Sequence, residues 1–275
     1  MIPKVIHYCW FGGNPLPDIA VKCINSWKKY FPDYEIKEWN ESNFDLAGCA
    51  YVKEAYEAKK WAFVSDYARF WILYNYGGLY FDTDVEVIKD MSDIIAKGAF
   101  FGCEVAEKCA PGFGLGVNPG LGLGVNPGLG LCKEILESYQ NDHFFNDDGN
   151  YNYETVVERV TNILKLHGLK ECNDIQKIAD VSIYPPEYFC PMNYSTGKLN
   201  ITENTRSIHW YDASWLDERM KKRRMRSEKI RNVFGEKAGV RLSKIYTTCS
   251  YCWEWISTGD FNTIKQKLGN KIRGK

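Results

Sequence analysis

The sequence predicts an α/β fold on three observations. Short β-prone runs alternate with segments of helical periodicity, glycines punctuate the junctions, and 45% hydrophobic content in 275 residues suffices for one sizeable core. The opening KVIHYCWFGG is an apolar, β-prone run closed by Gly12 and Gly13. DIAVKCINSWKKYF then repeats apolar residues at helical spacing, and YEIKEW returns to a strand pattern, so the chain begins as a βαβ unit. Residues 51–76 read as helix, interrupted near Lys60 and stopped by Gly77. A strand carrying Asp82 follows, and AFFGCEV at 99–105 is the next. Helices are expected at about 131–142 and 153–166, with short strands near 178–184 and 206–211.

One segment breaks the alternation. LGVNPGLG occurs at 115–122 and again, unchanged, at 123–130. Text this rich in Gly and Pro cannot form a helix interior, and a loop that tolerated an insertion is expected. It lacks both the Lys-Ser/Thr ending and the G-x-G-x-x-G frame of a phosphate cradle.

Formal charge sums to zero, but residues 217–275 hold 16 Lys/Arg against 6 Asp/Glu, a balance of +10 that leaves −10 upstream. The densest run, RMKKRRMRSEKIR at 219–231, reads either as a solvated helix face or as a surface for anionic lipid. No stretch approaches the roughly 18 continuous apolar residues of a spanning helix, and no signal peptide opens the chain. The ten cysteines are scattered singly except for Cys249 and Cys252 in CSYC, which reads as packing within an aromatic-rich helix. A reducing, cytoplasmic setting is expected, with any membrane contact peripheral and no nucleic-acid partner.

Two carboxylates, Asp82 and Asp84, stand one residue apart where a buried strand ends. They would repel each other and lose hydration unless a cation sat between them or water reached them. Hard oxygen ligands suit Mg²⁺ or Mn²⁺, which leave coordination positions for water and substrate phosphates. Upstream, SDYAR sets Asp66 and Arg69 three apart on a helix otherwise crowded with Phe70, Trp71, Leu73 and Tyr74. The pair reads either as a salt bridge tying helix to strand or as a contact for sugar and phosphate oxygens.

Taken together, IPKVIHYCWFGG, WAFVSDYARFWILYNYGGLYFDTDVEV and SIHWYDASW resemble the DXD-sugar glycosyltransferases of family 32. That family includes yeast α-mannosyltransferases and bacterial capsule or lipopolysaccharide glycosyltransferases, and is distantly similar to the catalytic domains of large clostridial toxins. The resemblance covers most of residues 1–216. It implies a GT-A nucleotide-diphospho-sugar transferase fold, a Rossmann-like mixed sheet flanked by helices, over 1–216, followed by a basic helical extension over 217–275. It also implies a nucleotide-diphosphate sugar donor, Mn²⁺ or Mg²⁺, and retention of anomeric configuration.

Residue by residue, Trp10 matches the aromatic of the family's W-x-G-G turn, which includes Gly12 and stacks on the nucleobase. Asp66 and Arg69 match the donor-binding pair, and Asp82 and Asp84 the metal and diphosphate motif. His209 matches a further metal ligand, and Trp215 a diphosphate contact. The duplicated LGVNPGLG departs from the pattern where relatives shape the sugar pocket, so Asn118 and Asn126 are equal candidates there. The expected activity is transfer of a hexose or N-acetylhexosamine to a surface-glycan acceptor. Two rivals stand beside it: a haloacid-dehalogenase-like phosphatase, whose D-x-D-x-[TV] normally ends the first strand rather than following some 80 residues, and an inactive glycan- or anion-binding module.

Overall fold

The computed structural model describes residues 1–104, 116–146, 149–170, 174–193, 197–212 and 218–258. In chain order its elements are β1 (Val5–Cys9), α1 (Asp18–Tyr30), β2 (Glu35–Trp39), α2 (Ala50–Glu57), α3 (Trp61–Tyr76), β3 (Gly78–Tyr80) and β4 (Val85–Val87). Then follow α4 (Ser92–Ile95), β5 (Phe100–Glu104), β6 (Gly116–Val125), α5 (Gly130–Gln140), α6 (Val156–Leu166), β7 (Gln176–Ile178), β8 (Val181–Tyr184), α7 (Pro186–Phe189), β9 (Ser207–His209) and α8 (Glu218–Thr258).

Seven strands form one mixed sheet in the order β2-β1-β3-β6-β5-β8-β7, and β4 pairs with β9 in a separate two-stranded sheet. β1 runs parallel to both β2 and β3, and β5 parallel to β8, whereas β6 lies antiparallel between β3 and β5. Period-two alternation sends side chains to two cores. Leu79, Phe81 and Phe100 join Trp27 of α1 and Phe31 just after it on one face. Tyr80 and Phe101 join Phe70 of α3 and Ile135 of α5 on the other.

Local chemistry fixes several boundaries. α1 buries Cys23, Ile24 and Trp27 at helical spacing, with Asp18 in its first turn and Lys28 and Lys29 in its last, each charge favoured by the helix dipole. Thr155 caps α6, its hydroxyl accepting the Glu158 N–H. The expected helix over 51–76 divides at Lys60 into α2 and α3.

Three expectations are corrected. The strand carrying Asp82 stops at Tyr80, and Asp82 and Asp84 sit in the turn between β3 and β4, where the chain leaves the main sheet for the small one. The run at 178–184 is a hairpin rather than one strand: β7 and β8 pair antiparallel around Ala179 and Asp180, both at positive φ. Most consequentially, the first LGVNPGLG copy is not a surface loop. It supplies most of β6, whose ten residues are all buried in the middle of the sheet, while the second copy closes that strand and leads through an exposed turn into α5. Pro119 is tolerated because Gly102 pairs with Asn118 while Phe101 pairs with Leu123, so the residues between bulge out of the ladder.

The chain divides into two compact units, one holding Met1–Asn193 with Lys198–Trp215 and the other built on α8. Gly235, at φ 75° and ψ 177°, breaks α8 into two helices. They face each other through Arg223, which ion-pairs with Glu254, bonds Ser250 and lies over the Tyr251 ring, and through Ser227 against Thr247. Cys249 and Cys252 are exposed rather than packed, because the inner positions of that second helix are Ser243, Thr247, Ser250 and Glu254. All eight cysteines among the described residues are free thiols.

Candidate active site

The residues singled out in the sequence gather where β1, β3 and β5 end, the side of an open α/β sheet on which ligands bind. Trp10 follows β1 directly. Its backbone N–H donates to the Trp39 carbonyl at 2.8 Å, and its partly buried indole N–H donates to the Asn14 carbonyl at 2.6 Å. Gly12 has φ +93°, and a β-carbon there would meet the Trp61 indole at 2.6 Å, so both conformation and space demand glycine. Its N–H donates to Glu41 Oε1 at 2.6 Å, which fixes the turn after β1 to the segment after β2.

Arg69 is the hub of the next group. Projecting from α3 and 3% exposed, it donates through Nη2 to Asp66 Oδ1 at 2.8 Å and approaches Asp82 Oδ1 at 3.3 Å, with Nη1 at 3.4 Å from Asp82 Oδ2. Nε donates to the Ser65 carbonyl, and the guanidinium lies 5.0 Å from the Tyr80 ring centroid. The salt bridge from helix to sheet edge therefore exists, and it lies among the site residues. Burial works against the charge on Arg69, but Asp82, Tyr80 and Asp66 outweigh it and hold the guanidinium firmly protonated. Burial pushes the Asp66 carboxyl up to about 7, opposed by Arg69 and by the Val156 N–H.

Asp84 faces elsewhere. Its Oδ2 accepts the Asp212 N–H at 2.9 Å, its Oδ1 lies 3.4 Å from His209 Nε2, and its carbonyl accepts the Trp210 N–H. The β4–β9 ladder sets this contact by pairing Val85 with His209. Burial would raise the Asp84 carboxyl, yet His209 and the Asp212 N–H hold it below the usual range. For His209, burial favours the neutral ring, but Asp84 outweighs that and raises its pKa.

Asp84 and His209 fit a hard divalent ion. Adjacent ligands of an octahedral ion at about 2.1 Å lie roughly 3 Å apart, close to the 3.4 Å seen. Asp82 is turned to Arg69 and offers only its remaining lone pairs. Trp215 lies outside the described residues.

Several neighbours went unnoticed in the sequence. Glu104, at the end of β5, is 9% exposed, and its Oε2 accepts from Asn118 Nδ2 at 3.0 Å and from the Tyr211 hydroxyl at 3.2 Å. Asn118 Oδ1 in turn accepts the Gly120 N–H, and the Gly120 carbonyl accepts the Asp82 N–H at 2.9 Å. A β-carbon on Gly120 would collide with Asp82 Oδ2, so glycine alone lets β6 pass over the carboxylate. Cys190 Sγ lies 3.0 Å from the Tyr211 hydroxyl. Of the two asparagines left open, the structure brings Asn118 to the site and leaves Asn126 exposed in the turn after β6. The equal repeats gave no signal for this, since only strand pairing tells the copies apart.

Residues 17–101 match the family model described as the glycosyltransferase sugar-binding region containing the DXD motif. The chain is 29% identical over 110 residues to inositol phosphoceramide mannosyltransferase 1 of Schizosaccharomyces pombe, covering 36% of this chain and 33% of that one. It is 33% identical over 88 residues to inositol phosphoceramide mannosyltransferase 3 of the same organism, covering 30% and 24%. An uncharacterized glycosyltransferase of Acanthamoeba polyphaga mimivirus is 30% identical over 110 residues, covering 37% and 43%. Among solved structures, PaToxG glycosyltransferase aligns at 17% identity with a TM-score of 0.43, over 60% of this chain and 69% of that one. The matches thus span from a quarter to less than half of these curated relatives. By its DXD sugar-binding region and these sequence relatives, the chain is similar to glycosyltransferases of the family 32 type over the matched part.

Proposed function

We propose that the protein is a retaining, metal-dependent glycosyltransferase that moves a hexose or N-acetylhexosamine from a nucleotide-diphosphate sugar to a surface glycan of the capsule or lipopolysaccharide kind. The observation that carries this reading is the buried bridge from Arg69 to Asp66 and Asp82, placed beside Asp84 and His209 at the strand ends. In it, Arg69 offers fixed positive charge to the departing diphosphate, stabilisation that acts where negative charge develops. Asp66 holds that guanidinium in place and accepts from sugar hydroxyls. Asp84 and His209, with Asp82 nearby, would hold a Mn²⁺ or Mg²⁺ ion, which would supply Lewis-acid charge for the same leaving group. Trp10, after β1, provides the face on which the nucleobase stacks. Retention is assigned to a front-face route in which the leaving diphosphate helps deprotonate the acceptor.

Two of the relatives carry mannosyltransferase in their names, which places GDP-mannose on the list of donors to try first. The acceptor is proposed to be lipid-linked and met at the cytoplasmic face, the protein approaching the membrane peripherally. No helix among the described residues is long and apolar enough to cross a membrane.

The test is hydrolysis of a panel of UDP- and GDP-sugars with Mn²⁺ or Mg²⁺ and with chelator. One donor should be cleaved in the presence of metal, and Asp84→Asn, which weakens a ligand without changing its size, should lower that rate by roughly 10²–10³-fold. Release of phosphate from an aryl phosphate with no donor cleaved would establish the phosphatase. Donor binding without turnover in any metal would establish an inactive module.

A further inference from the structure

We propose that Phe145, Tyr151 and Tyr153 form a stacking platform for a hexose ring of the acceptor glycan, set beside Asp66. The assignment to the acceptor rests on the transferase reading above, whereas the affinity of the platform for a sugar does not.

Exposed rings held in fixed positions carry the first step. The segment between α5 and α6 folds back on itself: Phe145 and Tyr151 form an antiparallel bridge, the Asn152 N–H donates to the Phe144 carbonyl at 2.7 Å, and the Asn146 N–H donates to the Asn150 carbonyl at 2.8 Å. Phe144 is fully buried and anchors the group, with Tyr151 stacked on it at 5.2 Å and 26°. Tyr151 in turn touches Phe145, its ring 5.5 Å away, and Tyr153, 5.7 Å away at 86°. Yet Tyr153 is 60% exposed and Phe145 39%. A single exposed aromatic is ordinary, but neighbouring ones ordered by paired backbone and left open to solvent mark a binding surface. Such a surface is preorganised, so little is lost in ordering it when a ligand arrives.

The polar partner beside the rings carries the second step. A sugar ring presents C–H groups on its face and hydroxyls around its rim. The electron-rich face of an aromatic attracts the first, and a fixed carboxylate accepts from the second. Glu154 follows Tyr153 directly. Its Oε2 is held by Arg159 Nη2 at 2.6 Å while its side chain stays 34% exposed, and Arg159 is itself fixed by Asp142 and the Ser138 carbonyl. Glu154 therefore offers its other oxygen to a hydroxyl from a set position.

The place of the platform carries the third. Phe63 of α3 packs against Phe144 at 5.0 Å and against Tyr153 at 6.1 Å. Asp66 lies three residues further along α3 and so on the same side of the helix. Their β-carbons are then about 5–6 Å apart, on the order of one sugar ring. The segment reaches Asp66 by a second route, since Thr155 caps α6 and the Val156 N–H that follows bonds the Asp66 carboxyl. Two contacts thus tie the platform to the residue proposed to hold the donor sugar, which is where a glycan receiving that sugar must lie.

Saturation-transfer difference NMR with the methyl glycosides of mannose, glucose, galactose and N-acetylglucosamine reads the platform on the purified full chain, with chelator and without donor. At least one glycoside should receive saturation at its ring C–H protons. Tyr153→Ala and Glu154→Gln should each weaken its binding by about tenfold or more, whereas Tyr153→Phe, which keeps the ring, should hold it within about twofold. Trp253→Ala, which removes an exposed aromatic of α8, should leave it unchanged. Far-ultraviolet circular dichroism checks that each variant folds, and if Tyr153→Ala does not, the same loss in Phe145→Ala decides. Binding of none of the four to wild type, binding that survives Tyr153→Ala, or an equal loss in Tyr153→Phe would overturn the platform. With neither donor nor metal present, such a failure leaves donor cleavage untouched, and a failure of donor cleavage leaves a sugar bound at Tyr153 standing.

Discussion

Two chemically equal asparagines, eight residues apart in a perfect repeat, sit in unlike surroundings. Asn118 is 8% exposed, grips Glu104 and holds the Gly120 N–H, and Gly120 in turn receives the Asp82 N–H. Asn126 faces solvent. Asn118→Ala should therefore remove two hydrogen bonds from the strand that passes over Asp82, costing about 1–3 kcal/mol of stability and lowering metal-dependent donor cleavage at least tenfold. Asn126→Ala should leave both within error. Urea unfolding and donor hydrolysis on the two variants check this, and equal effects would show that the copies are interchangeable. The residues legible in the sequence were those whose type is unusual for their setting: Asp66 and Arg69 on an apolar helix, Asp82 and Asp84 after an apolar run. Glu104 and Cys190 were not, because a single acid or thiol at a strand or helix end is ordinary until the fold brings another element against it.

Elements with clean periodicity were legible for the same physical reason. α1 and α3 repeat apolar residues that the cores bury, and β1, β2 and β5 follow their β-prone text. β6 was not legible, since its Gly- and Pro-rich wording signals a turn, and only pairing on both edges, with a bulge to absorb Pro119, makes it a strand. The packing of β1 also sets a pH dependence. His7 is 2% exposed, its Nε2 lies 3.0 Å from the Gly77 carbonyl, and Trp39 Nε1 donates to its Nδ1 at 3.1 Å. Nδ1 must be bare to accept that bond. Desolvation, aided by Lys37 and opposed by the Gly77 carbonyl, lowers the ring's pKa from 6.5 to about 4. The unfolded chain thus binds a proton between these values that the fold refuses. The contribution of His7 is complete above about pH 6.5 and is lost as pH falls toward 4, by up to about 3 kcal/mol. Urea midpoints at pH 7 and pH 4.5 should show this slope in wild type and a shallower one in His7→Gln. An unchanged slope would locate the acid sensitivity elsewhere.

At the scale of the whole molecule, the charge asymmetry read from composition resolves into a structured surface on α8. The run at 219–231 reads as densely basic, but the structure removes two of its charges from any external partner. Arg223 is buried between the two helices against Glu254, and Arg224 pairs with Glu228 one turn on. One exposed face carries Lys222, Arg226 and Lys229, spaced four and three apart, with Met225 and Val233 at 67% exposure on the same side. Cations interleaved with exposed apolar side chains suit an anionic bilayer, where each Lys or Arg contributes on the order of 1 kcal/mol and the apolar tips enter the headgroup boundary. Changing Lys222, Arg226 and Lys229 together to Gln should then reduce co-sedimentation with anionic vesicles by roughly 10²-fold at low salt, about 1 kcal/mol per cation. Neutral vesicles should retain little of either protein, and raising the salt should bring wild type down toward the variant. Arg223→Gln is the contrasting case: it should loosen the hairpin and lower its thermal midpoint, because it takes from half-buried Glu254 the nearer of its two cations and leaves it Arg219 at 4.0 Å. Equal sedimentation of wild type and the triple variant at low salt would make this face an ordinary solvated one.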